Sequence, residues 1–68
     1  MPFINITVGP MTKEKKKELI EKLVDASMAV TGASEQSHTV VIHEMPLDAL
    51  SIGKTTVEEM VAARERMK

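Results

Sequence analysis

Thr39-Val40-Val41-Ile42 is a strand signal that is apolar on both faces, in a chain with a single long helix to cover it. The helix reads from Lys13 to Thr31, with Leu19, Ile20, Leu23, Val24, Ser27, Met28 and Val30 as its apolar stripe. Lys15, Lys16, Lys22, Glu18, Glu21 and Asp25 fall largely on the opposite face, and Glu18 stands four residues before Lys22. Ahead of it, Pro2 to Val8 alternates: Ile4, Ile6 and Val8 on one side, Phe3, Asn5 and Thr7 on the other. A helix of about nineteen residues between two strands is a crossover, so the strands are expected to be parallel and the connection right-handed. Two strands leave both sheet edges open, and one helix covers one face. A second subunit is expected to extend the sheet and cover the other face.

Punctuation supports these elements. Gly9-Pro10 ends the first strand, and Thr12 is a plausible N-cap with Glu14 in the first turn. Gly32 suits the C′ position, and Pro46 stops the second strand, which reads from His38 to Met45. Leu47 to Lys54 has no clear period, with Ile52-Gly53 in a short turn or hairpin. Thr56-Val57-Glu58-Glu59 fits a capping box before a short helix that carries Val57, Met60, Val61 and Arg64 on one face. The fold class is α/β, or α+β in the looser sense: one β-α-β domain over residues 1–68.

Size gives the need for assembly a second basis. A chain of 68 residues rarely draws more than ~3–5 kcal/mol from its own core. There is no cysteine for a disulfide or a thiolate metal site, so oligomerisation is the remedy left. Nine basic against ten acidic residues and a single aromatic, Phe3, argue against nucleic acid as a partner. No apolar run approaches the ~20 residues of a membrane span. The first eight residues carry no basic start of a signal peptide, so a cytoplasmic location is expected.

Few residues offer chemistry. His38 and His43 lie five apart on a strand, point to opposite faces and cannot share a metal within one chain. Glu44 ends the second strand and reads first as a rim charge. There is no Gly-rich phosphate loop, serine nucleophile motif or metal-ligand spacing. What remains is Pro2, which gains a free secondary amine when Met1 is removed. In an apolar setting such as Phe3, Ile4 and Leu50 would provide, the cationic form is disfavoured and the amine becomes a base near neutral pH. Position alone leaves the alternative open that Pro2 is merely the second residue.

Pro2-Phe3-Ile4-Asn5-Ile6, the helix from Thr12 through Glu18-Leu19-Ile20, Val40-Val41-Ile42-His43-Glu44-Met45 and Ile52-Gly53 together resemble the 4-oxalocrotonate tautomerase family. The resemblance runs along essentially the whole chain. It implies a β-α-β tautomerase fold in which dimers build a four-stranded sheet and three dimers form a homohexamer. It implies that Pro2 takes a proton from a carbon or enol oxygen next to a carbonyl and returns it elsewhere on the conjugated system. No metal or organic cofactor is implied. The chain departs from the family at its anchors. Where the family places two substrate-binding arginines, this sequence has Met11 and Thr39, and where it often places an aromatic over the pocket, it has Leu50. A methionine is uncharged, and a threonine hydroxyl is no bidentate clamp. Lys54, His38 and Lys13 are candidate replacement cations, with solvated surface the plainer role for the two lysines.

Three functional readings follow. The first is a cofactor-independent isomerase, a keto–enol tautomerase acting on a small enol or keto acid through Pro2, with Met11, Thr39, Leu50 and His38 as substrate-binding candidates. The second is a decarboxylase or hydratase using the same proline as a charged acid. The third is an inactive oligomeric module that kept the fold.

Overall fold

The computed structural model describes residues 1–67. Strand β1 (Phe3–Val8) leads through a short loop to helix α1 (Lys13–Thr31), which returns to strand β2 (Thr39–Glu44). The two strands pair in parallel, Phe3 opposite Thr39 through Val8 opposite Glu44. The crossover predicted from the apolar periodicity is therefore present, with its second strand trimmed to six residues. A 3₁₀ turn (Glu35–Ser37) precedes β2, and another (Leu47–Ala49) follows it. The unpatterned stretch beyond closes as a two-residue hairpin, β3 (Ser51–Ile52) against β4 (Thr55–Thr56). Gly53, the first loop residue, has φ 62°, the left-handed setting a two-residue hairpin asks of glycine. Helix α2 (Val57–Arg66) ends the described chain.

The caps are those the residue types call for. Thr12 Oγ1 accepts the Lys15 N–H at the start of α1, and Gly32 closes the helix at φ 75° with its N–H on the Met28 carbonyl. Thr56 and Glu59 complete the capping box of α2. Glu18 and Lys22 form their surface pair at 3.1 Å.

Helix length and strand length do not match. Nineteen residues at 1.5 Å make α1 ~28 Å long, whereas six strand residues span ~20 Å. The last turn of α1 thus overhangs the sheet, and Val30, expected in the apolar stripe, is 86% exposed. Towards the other end, Lys16 is expected on the outer face but is half-buried and reaches the sheet. The helical period explains it: Lys16 precedes Leu19, Ile20 and Leu23 by three, four and seven residues, so all four share one face. Arg64, expected on the inner face of α2, is exposed.

Among the described residues none is fully buried. Ile4, Ile6 and Val8 of β1 and Val40 and Ile42 of β2 share the α1 side of the sheet, yet stay half-exposed. The accessible surface is 5402 Å², against about 4,200 Å² for a compact monomer of this mass. The radius of gyration, 15.7 Å, likewise exceeds the ~11 Å of a compact domain this long. Phe3 and Ile52 are 61% and 72% exposed. No helix in the described residues is long and apolar enough to cross a membrane.

Candidate functional site

The parallel register sorts the chemistry-bearing residues to the two ends of the sheet. At the start of the strands stands Pro2, half-buried, its carbonyl accepting the Thr39 N–H at 3.0 Å. Pro2 and Thr39 are thus brought side by side by the first bond of the ladder. His38, next along, is half-buried and has both ring nitrogens engaged. Nδ1 lies 2.8 Å from the Ser34 carbonyl and Nε2 2.7 Å from Ser27 Oγ on α1. A carbonyl can only accept, so Nδ1 carries the proton, and in the neutral ring Nε2 accepts from the Ser27 hydroxyl.

At the far end, ~20 Å along the strands, lie Met11 and Glu44. The Met11 N–H donates to Glu44 Oε2 at 2.7 Å, and Lys16 Nζ donates to Oε1 at 3.0 Å. These two donors hold the Glu44 carboxyl below the ordinary carboxylate range, the Met11 N–H contributing most and the Lys16 hydrogen bond next. The Met45 N–H on the Val8 carbonyl, at 2.9 Å, continues the ladder past this clamp. Glu44 is thereby more than a rim charge: it fixes the β1–α1 loop. No local pattern marks the link, since its partners are 33 and 28 residues away in sequence.

Leu50 lies beyond the end of β2, half-buried, its carbonyl accepting the Val57 N–H at 2.8 Å. Lys13 and Lys54 are exposed. His43 faces the side of the sheet away from α1, with Nε2 3.4 Å from Asn5 Oδ1. No group of three or more His, Asp or Glu among the described residues is placed to hold a metal ion.

Within one protomer, then, Pro2, Thr39 and His38 share one end of the sheet while Met11 and Leu50 belong to the other. One chain encloses no cavity among its described residues.

The comparisons with known proteins agree with this architecture. The family described as Tautomerase enzyme matches residues 2–60, so the match begins at Pro2. The 2-hydroxymuconate tautomerase of Bacillus subtilis is 33% identical over 61 residues, covering 88% of this chain and 98% of that protein. Among solved structures, DmpI from Helicobacter pylori superposes with a TM-score of 0.81 at 31% identity, over 90% of this chain and 97% of its own. A 4-oxalocrotonate tautomerase isozyme from Methylibium petroleiphilum gives the same TM-score, 0.81, at 32% identity over 87% and 97%. With its parallel β-α-β unit and this match along nearly its full length, the chain belongs to the tautomerase enzyme family.

Proposed function

We propose that the chain is a cofactor-independent keto–enol tautomerase acting on a small enol or keto acid, with Pro2 as general base and then general acid. The observation that carries this reading is the family match that starts at Pro2, a residue sitting at the mouth of the ladder beside Thr39. Met1 is 97% exposed and open to removal. While Met1 is attached, the Pro2 nitrogen is a tertiary amide with neither a proton nor useful basicity. Once it is removed, that nitrogen is a secondary amine. The neutral amine takes the proton of the enol hydroxyl, or of the carbon beside the carbonyl, and becomes the ammonium. The electron pair shifts along the conjugated system, and the same nitrogen returns the proton at the new position. Atoms and charge balance with no other reactant.

Met11 and Thr39 stand where the resembled family carries arginines, so the substrate is a small acid with one carboxylate rather than a dicarboxylate clamped at both ends. Thr39 offers a hydroxyl beside Pro2, and Leu50 offers apolar cover. The distance between the two ends of the sheet means that Met11 and Leu50 reach a site at Pro2 only from another protomer.

The same reading makes the working unit a homohexamer, a trimer of dimers. What supports this is the surface of the single chain, roughly 1,200 Å² above that of a compact monomer and more than the ~800 Å² each partner gives to one standard interface. One structural relative, from Chloroflexus aurantiacus, is described as a heterohexamer, and its 24% identity with a TM-score of 0.81 establishes a shared fold.

The test is ketonisation of a panel of small enol acids, followed by ultraviolet absorbance, on protein shown by intact mass to lack Met1. The processed protein should be active and Pro2→Ala should not. Full activity in Pro2→Ala, or retention of Met1 in the native host, would sink the proposal.

A further inference from the structure

We propose that His38 is a positioning residue that ties the Pro2 end of the sheet to α1 and so sets where the Pro2 nitrogen stands. The inference rests on the reading of Pro2 as the proton-transfer group.

The position of Pro2 depends on what holds Thr39, because the Thr39 N–H is the ladder bond on the Pro2 carbonyl. Thr39 follows a connector, residues 32–38, that leaves α1 at a left-handed glycine. Connectors are ordinarily the mobile parts of a domain. Here Ser37 closes the turn locally, its Oγ and N–H on the Ser34 carbonyl at 2.8 and 3.2 Å, and the His38 imidazole ties that turn to the helix. Nε2 is 2.7 Å from Ser27 Oγ on α1, Nδ1 is 2.8 Å from the Ser34 carbonyl before the 3₁₀ turn, and the His38 N–H reaches the Glu35 carbonyl at 3.2 Å. Helix, turn and strand therefore meet at one side chain, one residue before the strand position that holds Pro2. The helix side of the joint is itself closed: Thr31 Oγ1 donates to the Ser27 carbonyl at 2.8 Å and accepts the Ala33 N–H at 3.1 Å.

An apolar residue at position 38 would pack against the stripe of α1 but would not fix an orientation. Two directional bonds on a rigid ring do both. Because the His38–Ser27 contact is part-buried, water competes with it less than it would at the surface. The same commitment argues against His38 as a substrate cation, since binding a carboxylate would cost it one of these bonds. Error in the placement of a proton-transfer atom is expensive: about 1 Å can cost on the order of 10²-fold in rate.

The two ring nitrogens can be tested separately in the processed protein. His38→Asn keeps a donor near the Nδ1 position for Ser34 and loses the reach to Ser27. His38→Gln keeps a polar nitrogen near the Nε2 position for Ser27 and gives up the local bond. Ser27→Ala removes a single hydroxyl from α1 and carries the test if His38→Asn unfolds. Two readouts are taken: the titration of Pro2 labelled with ¹³C and ¹⁵N, followed by NMR, and the pH dependence of kcat and KM on an enol acid. His38→Asn and Ser27→Ala are expected to shift the Pro2 titration by about half a pH unit or more and to lower kcat about tenfold with KM nearly unchanged. His38→Gln is expected to stay within about twofold of the parent. Folded Ser27→Ala or His38→Asn protein with the parent's Pro2 titration and kcat overturns the inference, as does an equal loss in the Asn and Gln variants. The NMR readout needs no turnover, so a failure of the tautomerase reading, seen as activity that survives Pro2→Ala, is distinguishable from a failure of this one.

Discussion

The two ends of the β1–β2 sheet are both pinned to α1 by a side chain of β2 or its immediate neighbour, but by different chemistry. At the Pro2 end the joint is His38 with Ser27 and Ser34, two hydrogen bonds of which the one to Ser27 is part-buried. At the Met11 end it is Glu44 with the Met11 N–H and Lys16, a set built on an ion pair about a third exposed on each side. A charged clamp at the surface holds a loop well but depends on pH and is screened by salt. The part-buried His38–Ser27 bond is less open to competing water. The end that carries the proposed proton chemistry is tied by hydrogen bonds of an imidazole and not by a lysine–carboxylate pair.

The contrast between the two ends is most open to challenge at Pro2. Replacing it with alanine leaves the backbone and exchanges the secondary amine for a primary one, and kcat should fall by on the order of 10²–10⁴ if Pro2 is the general base. The pH profile of the processed parent refines the assignment. Activity that rises through the Pro2 titration supports the base, and activity that falls through it supports a decarboxylase or hydratase using the charged proline.

A smaller effect is expected from Thr39→Arg, which places a guanidinium beside Pro2. It should lower KM for a dicarboxylate enol on the order of tenfold while leaving a monocarboxylate little improved, because a charge-assisted pair discriminates by carboxylate. Equal change on both substrates would show that position 39 does not read the substrate's charge. Lys16→Ala should lower the thermal midpoint by a few degrees at most, the scale of a half-exposed ion pair, and more in low salt than in high salt.

The smallest effect concerns acid. The Glu44 carboxyl is held below its ordinary range by donors present only in the folded chain, so its contribution to stability is complete above the unfolded-state value and disappears as pH falls through the lower folded value. The Met11 amide proton should therefore move in an NMR titration at a pH below the usual carboxylate range, and in Glu44→Gln that movement should be absent. A Met11 amide that titrates identically in both proteins would remove Glu44 as the loop's anchor. Glu59, which is lowered in the same direction by Thr56, gives a matched response at the start of α2 and serves as the internal control.

How much of this is legible in the residues follows from the range of each interaction. The alternation of Ile4, Ile6 and Val8, the stripe from Leu19 to Met28 and the Val40-Val41-Ile42 run are local periodicities, and they suffice for the β-α-β order and its parallel pairing. Thr12, Gly32 and the Thr56/Glu59 box act within four residues, so their caps are readable from residue type. Pro2 is legible only through its resemblance to a family, since a proline in second place announces no chemistry by composition. Two residues of α1 read otherwise than they stand: Lys16, grouped with its lysine neighbours, reads as outer-face although the helical period puts it over the sheet, and Val30 reads as part of the stripe but is exposed.

Local pattern alone settles which segments are strands and helices, where they start and stop, and that one chain leaves apolar faces open. Which end of the sheet each candidate occupies emerges only in three dimensions. There Pro2 stands beside Thr39, Met11 against Glu44, and His38 against Ser27. Backbone preference and apolar period act over a few residues. These contacts instead join groups 11 to 37 positions apart, and their meeting depends on strand register and on how far a helix of 19 residues overhangs strands of six.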